Sequence, residues 1–124
     1  MKIFRGTGNE RDIRDNKNIG TYYTSSIEEA QFYGNDIDEI EIKGSDFIEY
    51  GQDDLDKMVE DWLLDLEEED PQEYEFQVQT KAYFTEQRGE ILAANDAKDR
   101  GYSGIILRDI PGEAVETTDY IVIF

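Results

Sequence analysis

The order of apolar and polar positions along the chain predicts several short strands. Residues 2–5 are expected to form a strand around the apolar pair Ile3 and Phe4, and a charged polar loop follows over residues 6–18. The stretch "IGTYYTS", residues 19–25, is rich in the tyrosine and threonine that favour strands. Residues 37–50 are expected to form a half-buried strand, because Ile40 and Ile42 alternate there with Glu39 and Glu41.

Helical spacing is clearest over residues 53–66. Six apolar side chains recur there at the spacing of one helix face, while acids occupy the opposite face. They are Leu55, Met58, Val59, Trp62, Leu63 and Leu66. A shorter helix is predicted after Ser25 or Ser26, either of which can cap it, with its end at Gly34. Helix formers also dominate residues 86–100, before a glycine that can end a helix.

The remaining stretches complete the predicted fold class. "YEFQVQTKAYF", residues 74–84, alternates in a way that favours a strand, although a helix also fits. Two β-rich runs, "SGIILRD" and "DYIVIF", are separated by the turn "IPGE". Strands outnumber helices and do not alternate strictly with helices of crossover length. We therefore expect an α+β domain with a mixed, mostly antiparallel sheet and flanking helices.

Composition narrows the class of protein further. A chain of 124 residues is expected to form one domain. It has no cysteine for disulfides or thiolate sites, and no histidine, the commonest general base and metal ligand. No stretch approaches the roughly 18 apolar residues of a membrane helix, and the charged start does not resemble a signal peptide. We expect a soluble cytoplasmic protein without a metal.

Charge is spread unevenly along the chain, whose net charge is −19. Residues 51–75 hold twelve acids against one lysine, a net charge of −11, and the acidic helical segment is expected at about residues 52–73. Residues 1–17 carry a net charge of +2. Such a surface should repel nucleic acid and attract a basic partner protein through the acidic helix. The alternative is a solvated acidic face that serves solubility.

Four stretches place polar and aromatic residues near predicted strand ends. They are "IFRGT" at 3–7, "GTYYTSSIEEAQFYG" at 20–34, "AKDRGYSGIILRD" at 97–109 and "TTDYIVIF" at 117–124. In this order they resemble the ADP-ribosyltransferase superfamily, particularly its PARP-like branch. The resemblance implies one domain over residues 1–124 with a split β-sheet, and a cleft that binds NAD as substrate. It also implies transfer of ADP-ribose to a protein or nucleic-acid acceptor.

The resemblance implies a role for each residue that matches a motif. Arg5 would grip NAD, because a guanidinium pairs with phosphate or ribose hydroxyls in a fork geometry. Gly6 and Thr7 would supply backbone and hydroxyl contacts. Tyr22 and Tyr33 would hold the flat nicotinamide ring between them. The alternatives are an ordinary exit from a strand at the first motif and core aromatics at the second.

Three further residues are candidates at the NAD site. Tyr23 and Thr24 follow Tyr22 in the second motif, where the small polar residues resemble the Ser-Thr-Ser of the toxin-like branch. Asp109 ends the third motif and would line the cleft, or else lie in an exposed turn. All three therefore belong to the predicted cofactor-binding set.

The catalytic carboxylate is expected in the last strand. Asp119 stands where the family has the glutamate of Glu-Tyr-Ile-Val, and a fixed anion there would stabilise the oxocarbenium-like state formed as nicotinamide leaves. Aspartate is one methylene shorter, and a displacement of about 1 Å can cost on the order of a hundredfold in rate. Glu116, three residues earlier, is the second candidate carboxylate. Arg5 stands where the PARP-like branch has histidine, and Asp119 stands where the family has glutamate. The chain therefore mixes features of two branches.

Two other functions fit the same sequence. A small, very acidic chain without cysteine is typical of phage or mobile-element products that act against host defence, some by imitating DNA. The chain would then be an inactive ADP-ribosyltransferase-like inhibitor that binds a basic host protein in the host cytoplasm. The third hypothesis is a module that binds NAD or ADP-ribose without chemistry.

Overall fold

Six strands and five α-helices make up the described part of the chain, residues 1–8 and 18–124 of a computed structural model. The strands are β1 (Lys2–Thr7), β2 (Thr21–Thr24), β3 (Asp36–Glu41), β4 (Phe47–Gly51), β5 (Gly104–Pro111) and β6 (Thr117–Ile123). The helices are α1 (Ile27–Tyr33), α2 (Gln52–Glu69), α3 (Pro71–Thr80), α4 (Ala82–Thr85) and α5 (Arg88–Asp99). A short 3-10 helix occupies Gly44–Asp46.

The six strands form one mixed sheet in the order β3-β1-β2-β6-β5-β4. Its strand pairs are antiparallel except β4 with β5, which is parallel. The predicted α+β class and mostly antiparallel sheet are therefore confirmed. All six strands belong to a single sheet. The shortest pairing between neighbouring strands is that of β1 with β2, where the described residues pair at Phe4 and Thr24.

The helices follow local sequence signals closely. Ser26 caps α1 with its side chain, and Gly34 follows the last helical residue, as predicted. The predicted helices over 53–66 and 86–100 are confirmed as α2 and α5. Within residues 1–8 and 18–124, none of the helices combines the length and the hydropathy that crossing a membrane requires.

Two predictions of secondary structure are wrong. The strand favoured over residues 74–84 is wrong and its helical alternative is confirmed, since the segment lies in α3 and α4 with a left-handed break at Lys81. The α3 helix begins at Pro71 because Asp70 accepts a hydrogen bond from the Glu73 N–H (3.3 Å) and Pro71 occupies the first helical turn. These capping signals outweigh the alternation. Residues 37–50 form two strands, because the chain turns through the 3-10 helix after β3 and enters β4.

The sheet is curved. β3 and β4 form its opposite edges, although residues 42–46 alone connect them along the chain. Six flat strands would separate these edges by about 24 Å. The six peptide steps from β3 to β4 span at most about 21 Å, and a helical turn shortens them further. The sheet therefore curves enough for this short connection to reach from one edge strand to the other.

Apolar clusters lie on both sides of the curved sheet. The side on which the helices pack, here called the helix face, buries residues that include Tyr22, Tyr33, Leu55, Ala94, Leu107 and Tyr120. The other side, the inner face, buries Ile3, Phe47, Ile106 and Ile121, with Tyr23, Ile40, Ile42 and Ile123 packed against them. Since Ile42 of the β3–β4 connection packs against this cluster, the chain passes between the two edge strands on this side, and the inner face is the concave side.

Candidate functional site

Polar side chains of the inner face converge on Arg108 of β5. Its Nη1 donates a hydrogen bond to Asp119 Oδ2 at 2.6 Å, and its Nη2 donates to Glu49 Oε1 at 2.6 Å. One guanidinium thus joins two carboxylates from β6 and β4. Because two anions share one cation, this cluster, here called the Arg108 cluster, keeps one net negative charge.

A β-bulge completes the support of Asp119. The register of β5 against β6 shifts between Leu107 and Ile110, and Asp109 has a φ of +54°. Aspartate is one of the residues that tolerate this left-handed conformation. The bulged Asp109 N–H donates to Asp119 Oδ1 at 3.0 Å. Both oxygens of Asp119 are therefore fixed, one by a guanidinium and the other by the backbone.

Arg108 and Glu49 are ionised across the neutral range. Hydrogen bonds from Arg108, first to Glu49 and then to Asp119, raise the pKa of the guanidinium above its already high value. The hydrogen bond from Arg108 lowers the pKa of Glu49 below its usual range. Asp119 is the most enclosed of the three, with 19% of its side chain exposed. The arrangement offers a fixed anion at the edge of the concave face.

Arg5 lies on the same inner face, on β1. Its neighbours by register are Asp38 on β3 and Tyr23 on β2, and its Nη1 donates to the Tyr22 carbonyl oxygen at 2.8 Å. Asp119 lies two strands across the sheet and two residues along it. On regular strand geometry the two Cα atoms are about 12 Å apart. The inner face therefore carries a cation and a fixed anion at the spacing of an extended ligand.

Tyr23 is the aromatic residue of the second motif that shares this face. It is half-buried and packs against the cluster of Ile3 and Ile121. The next residue but one, Ser25, donates its N–H to the Asp119 carbonyl oxygen at 3.1 Å, which ties the end of β2 to β6. Arg5, Tyr23 and Asp119 are thus brought to one side of the sheet.

Tyr22 and Tyr33 lie on the opposite side, in the core of the helix face. Their exposed fractions are 0% and 2%. Tyr22 packs edge-on against Tyr120, with ring centroids 6.2 Å apart and planes at 60°. The structure does not bring these two rings to Arg5 and Asp119, and their packing matches the alternative that they are core aromatics.

Gly6, Thr7 and Thr24 have structural contacts in the folded chain. A Cβ on Gly6 would run into the Ala30 carbonyl oxygen, so glycine lets α1 lie directly on β1. Thr7 is exposed, and its Oγ1 donates to the Asp36 carbonyl oxygen at 3.4 Å. Thr24 is fully buried, and its Oγ1 donates to the Ser26 carbonyl oxygen at 2.8 Å.

The two remaining candidates lie near the turn between β5 and β6. Asp109 is exposed, and its backbone N–H donates a hydrogen bond to Asp119 Oδ1. Glu116 is exposed, and its carbonyl oxygen accepts from the Gly112 N–H at 3.3 Å. Of the two candidate catalytic carboxylates, the one that the structure holds on the inner face is therefore that of Asp119.

Glu29 is a buried acid that the sequence did not reveal. Its carboxylate is fully enclosed and accepts from the N–H groups of Glu113 (2.9 Å) and Ala114 (2.8 Å) and from the Tyr120 hydroxyl (3.1 Å). The sequence signal was an acid in the first turn of a helix, which suits the helix dipole. The actual role is to fasten the β5–β6 loop to α1.

Glu49 and Arg108 were also missed. Arg108 stands beside Asp109 in the third motif, but a motif shows neither the strand register nor the bulge that sets it against Asp119. Across the described residues, no group of three or more acids is placed to hold a metal ion.

Comparisons with family models, with curated proteins and with solved structures find no match for this chain. The residues that bear on function are those of the concave face, which carries Arg5 and the fixed carboxylate of Asp119.

Proposed function

We propose that this chain is an ADP-ribosyltransferase-like protein that binds NAD across its inner face and transfers ADP-ribose to an acceptor. One observation carries the proposal: both carboxylate oxygens of Asp119 are fixed on the concave face that also carries Arg5. The order of the four motifs along the chain supports it independently. The acceptor is a protein or a nucleic acid.

The chemistry needs a fixed anion beside the ribose of NAD. The bond between the ribose C1′ and the nicotinamide nitrogen breaks, and its electron pair leaves with nicotinamide. The sugar becomes oxocarbenium-like, and an acceptor nucleophile then attacks C1′ and loses its proton. A preorganised carboxylate stabilises the growing positive charge and accepts a hydrogen bond from the 2′-hydroxyl. Asp119 supplies this carboxylate, and Arg108 and the Asp109 N–H hold it in place.

Arg5 and Tyr23 serve the binding of NAD. The Arg5 guanidinium pairs with the pyrophosphate or with ribose hydroxyls, for which its fork geometry is suited. Tyr23 offers aromatic surface on the same face, so it takes the stacking role that the resemblance implies for Tyr22. The positive net charge of residues 1–17 favours a pyrophosphate at this end.

Release of nicotinamide from NAD tests the proposal. The wild-type protein should release it, and Asp119→Asn should slow the release by about a hundredfold or more, because the oxocarbenium loses its anion. Glu116→Gln is the matched control and should retain the wild-type rate, because Glu116 is exposed and outside the cluster. Equal rates for Asp119→Asn and the wild type would refute the role of Asp119.

A second candidate function is an inactive acidic inhibitor. The burial of Tyr22 and Tyr33 favours it, because a nicotinamide ring cannot enter between them without opening the core. Under this proposal the acids of α2 and α3 bind a basic host protein. Absence of any nicotinamide release, together with a partner that dissociates at high salt, would favour this candidate over the enzyme.

A further inference from the structure

An apolar groove lies on the helical side of the molecule, away from the inner face. It is formed by α2, α4, the start of α5 and the end of β5, and its volume is 770 Å³. Its apolar lining includes Leu55, Val59, Leu63, Tyr83, Phe84 and Ile110. The two long helices approach closely beneath it, since a Cβ on Gly89 would lie 3.3 Å from Leu55 Cβ.

The apolar stripe of α2 is only partly covered by the rest of the chain. Of its six members, Leu55 alone is buried, and the other five are half-buried. Phe84 on α4 has 78% of its surface exposed at the edge of the groove. Exposed apolar surface with a polar rim is typical of an interaction site in soluble proteins.

Charge around the groove is strongly negative. Residues 52–80, which form α2 and α3, hold twelve acids and one lysine, and Asp56 and Glu60 line the groove itself. The cation among the lining residues is Arg88, which is already engaged. Its guanidinium lies 4.7 Å from the centre of the Trp62 ring and 3.4 Å from a Glu86 oxygen. A ligand of this groove therefore meets apolar side chains within an acidic rim.

We propose that the groove binds an amphipathic helix of a partner protein, with apolar side chains on one face and lysines or arginines on its flanks. Recognition of a helix in a groove uses apolar anchors at i, i+3, i+4 and i+7, and α2 is about 27 Å long, which suits several such anchors. The basic flanks match the acidic rim. A second copy of this chain, with the same net charge of −19, is repelled, as is an anionic membrane.

This site is independent of NAD chemistry. The groove lies on the helix face, whereas Arg5 and Asp119 lie on the inner face. Asp119→Asn should therefore bind a helical ligand as the wild type does. The two proposals can fail separately.

A synthetic helix tests the groove directly. The probe is a fluorescein-labelled, 18-residue amphipathic helix of leucine and lysine, and binding is measured by fluorescence anisotropy. Leu63→Ser and Phe84→Ser should each weaken binding at least tenfold, because each removes an apolar wall of the groove. Leu64→Ser is the matched control, since Leu64 is 58% exposed and lies outside the groove. It should change the affinity less than twofold.

Variants that remove acidic side chains distinguish specific binding of the peptide in the groove from its general attraction to the acidic surface. The double variant Asp56→Asn with Glu60→Gln removes two charges at the groove and should weaken binding at least tenfold. Asp65→Asn with Glu68→Gln removes the same charge from α2 outside the lining residues and should have a clearly smaller effect. A peptide of the same composition without helical periodicity should bind at least tenfold more weakly than the probe.

Three results would overturn the proposal. Equal losses in the two double variants would show attraction to the acidic surface as a whole. Binding that Phe84→Ser and Leu63→Ser leave unchanged would place the peptide elsewhere. Sedimentation that shows a dimer of the wild type, lost in Phe84→Ser, would assign the groove to a second copy.

Discussion

Asp119 depends on Arg108 for its position. We expect Arg108→Gln to lower kcat for nicotinamide release about tenfold or more with a smaller change in KM, because the carboxylate is then held only by the Asp109 N–H. Glu49→Gln is the control, since it leaves the bond from Arg108 to Asp119 in place. Steady-state kinetics on the three proteins checks this, and an unchanged kcat in Arg108→Gln would show that positioning does not matter.

Glu29 should matter for stability. Glu29→Gln keeps the size of the side chain but sets an NH₂ group against backbone N–H donors, so we expect the free energy of unfolding to fall by about 2–4 kcal/mol. Glu28→Gln is the matched control on the exposed side of α1 and should change it by less than about 0.5 kcal/mol. Urea denaturation measures both, and equal values would show that the buried carboxylate is dispensable.

Tyr120 links stability to alkaline pH. Burial, followed by the nearby Tyr33 and Glu29, raises the pKa of Tyr120 well above its ordinary value of 10.0. The folded state therefore favours the neutral phenol. The neutral Tyr120 makes its full contribution to the free energy of unfolding below pH 10, and this contribution is lost as the pH rises further. In that range Tyr120→Phe should reduce the pH slope of the unfolding free energy by about 1.4 kcal/mol per pH unit. Urea denaturation at several alkaline pH values measures the slope, and identical slopes would contradict the assignment.

The packing of α1 on β1 depends on glycine. We expect Gly6→Ala to lower the free energy of unfolding by about 1–3 kcal/mol, because the new methyl group collides with the Ala30 carbonyl. Gly44→Ala is the control, since no atom lies within 4 Å of its Cβ position. Thermal and urea denaturation compare them. A fully stable Gly6→Ala would contradict the close contact, and a loss of activity in this variant would not by itself report on NAD.

The elements with strong local signals were predictable. The apolar stripe of α2 spans residues 55–66, and Ser26 immediately precedes the helix that it caps, so a short window of sequence contains each of these two signals. The separation of residues 37–50 into two edge strands depends on curvature of the whole sheet, which no window contains. At α3 two local signals conflict: Asp70 and Pro71 favour the start of a helix, whereas the alternation of Tyr74, Phe76 and Val78 favours a strand.

The candidate site was predictable in part. Motifs drew attention to Arg5 and Asp119, which share the inner face. They did not reveal Glu49 and Arg108, because strand register and a bulge bring these residues to Asp119. Because side chains alternate along β2, its two tyrosines lie on opposite sides of the sheet: Tyr22 is in the core of the helix face, and Tyr23 is on the inner face.

The molecule separates its charges between the two sides of one sheet. The helical side carries the acids of α2 and α3, and the inner face carries Arg5 and the Arg108 cluster. Because an acidic surface repels NAD, the arrangement keeps most of the negative charge away from the proposed NAD site. The same arrangement leaves the groove on the helical side available to a basic partner.

Titration of the ¹⁵N-labelled protein with NAD, followed by NMR, tests the central claim most directly. If NAD lies across the inner face, the amide signals of Arg5, Tyr23, Ser25 and Asp119 should shift together with one dissociation constant. Those of Leu63 and Phe84 in the groove should not move. Shifts confined to the groove, or no shifts at millimolar NAD, would contradict the account.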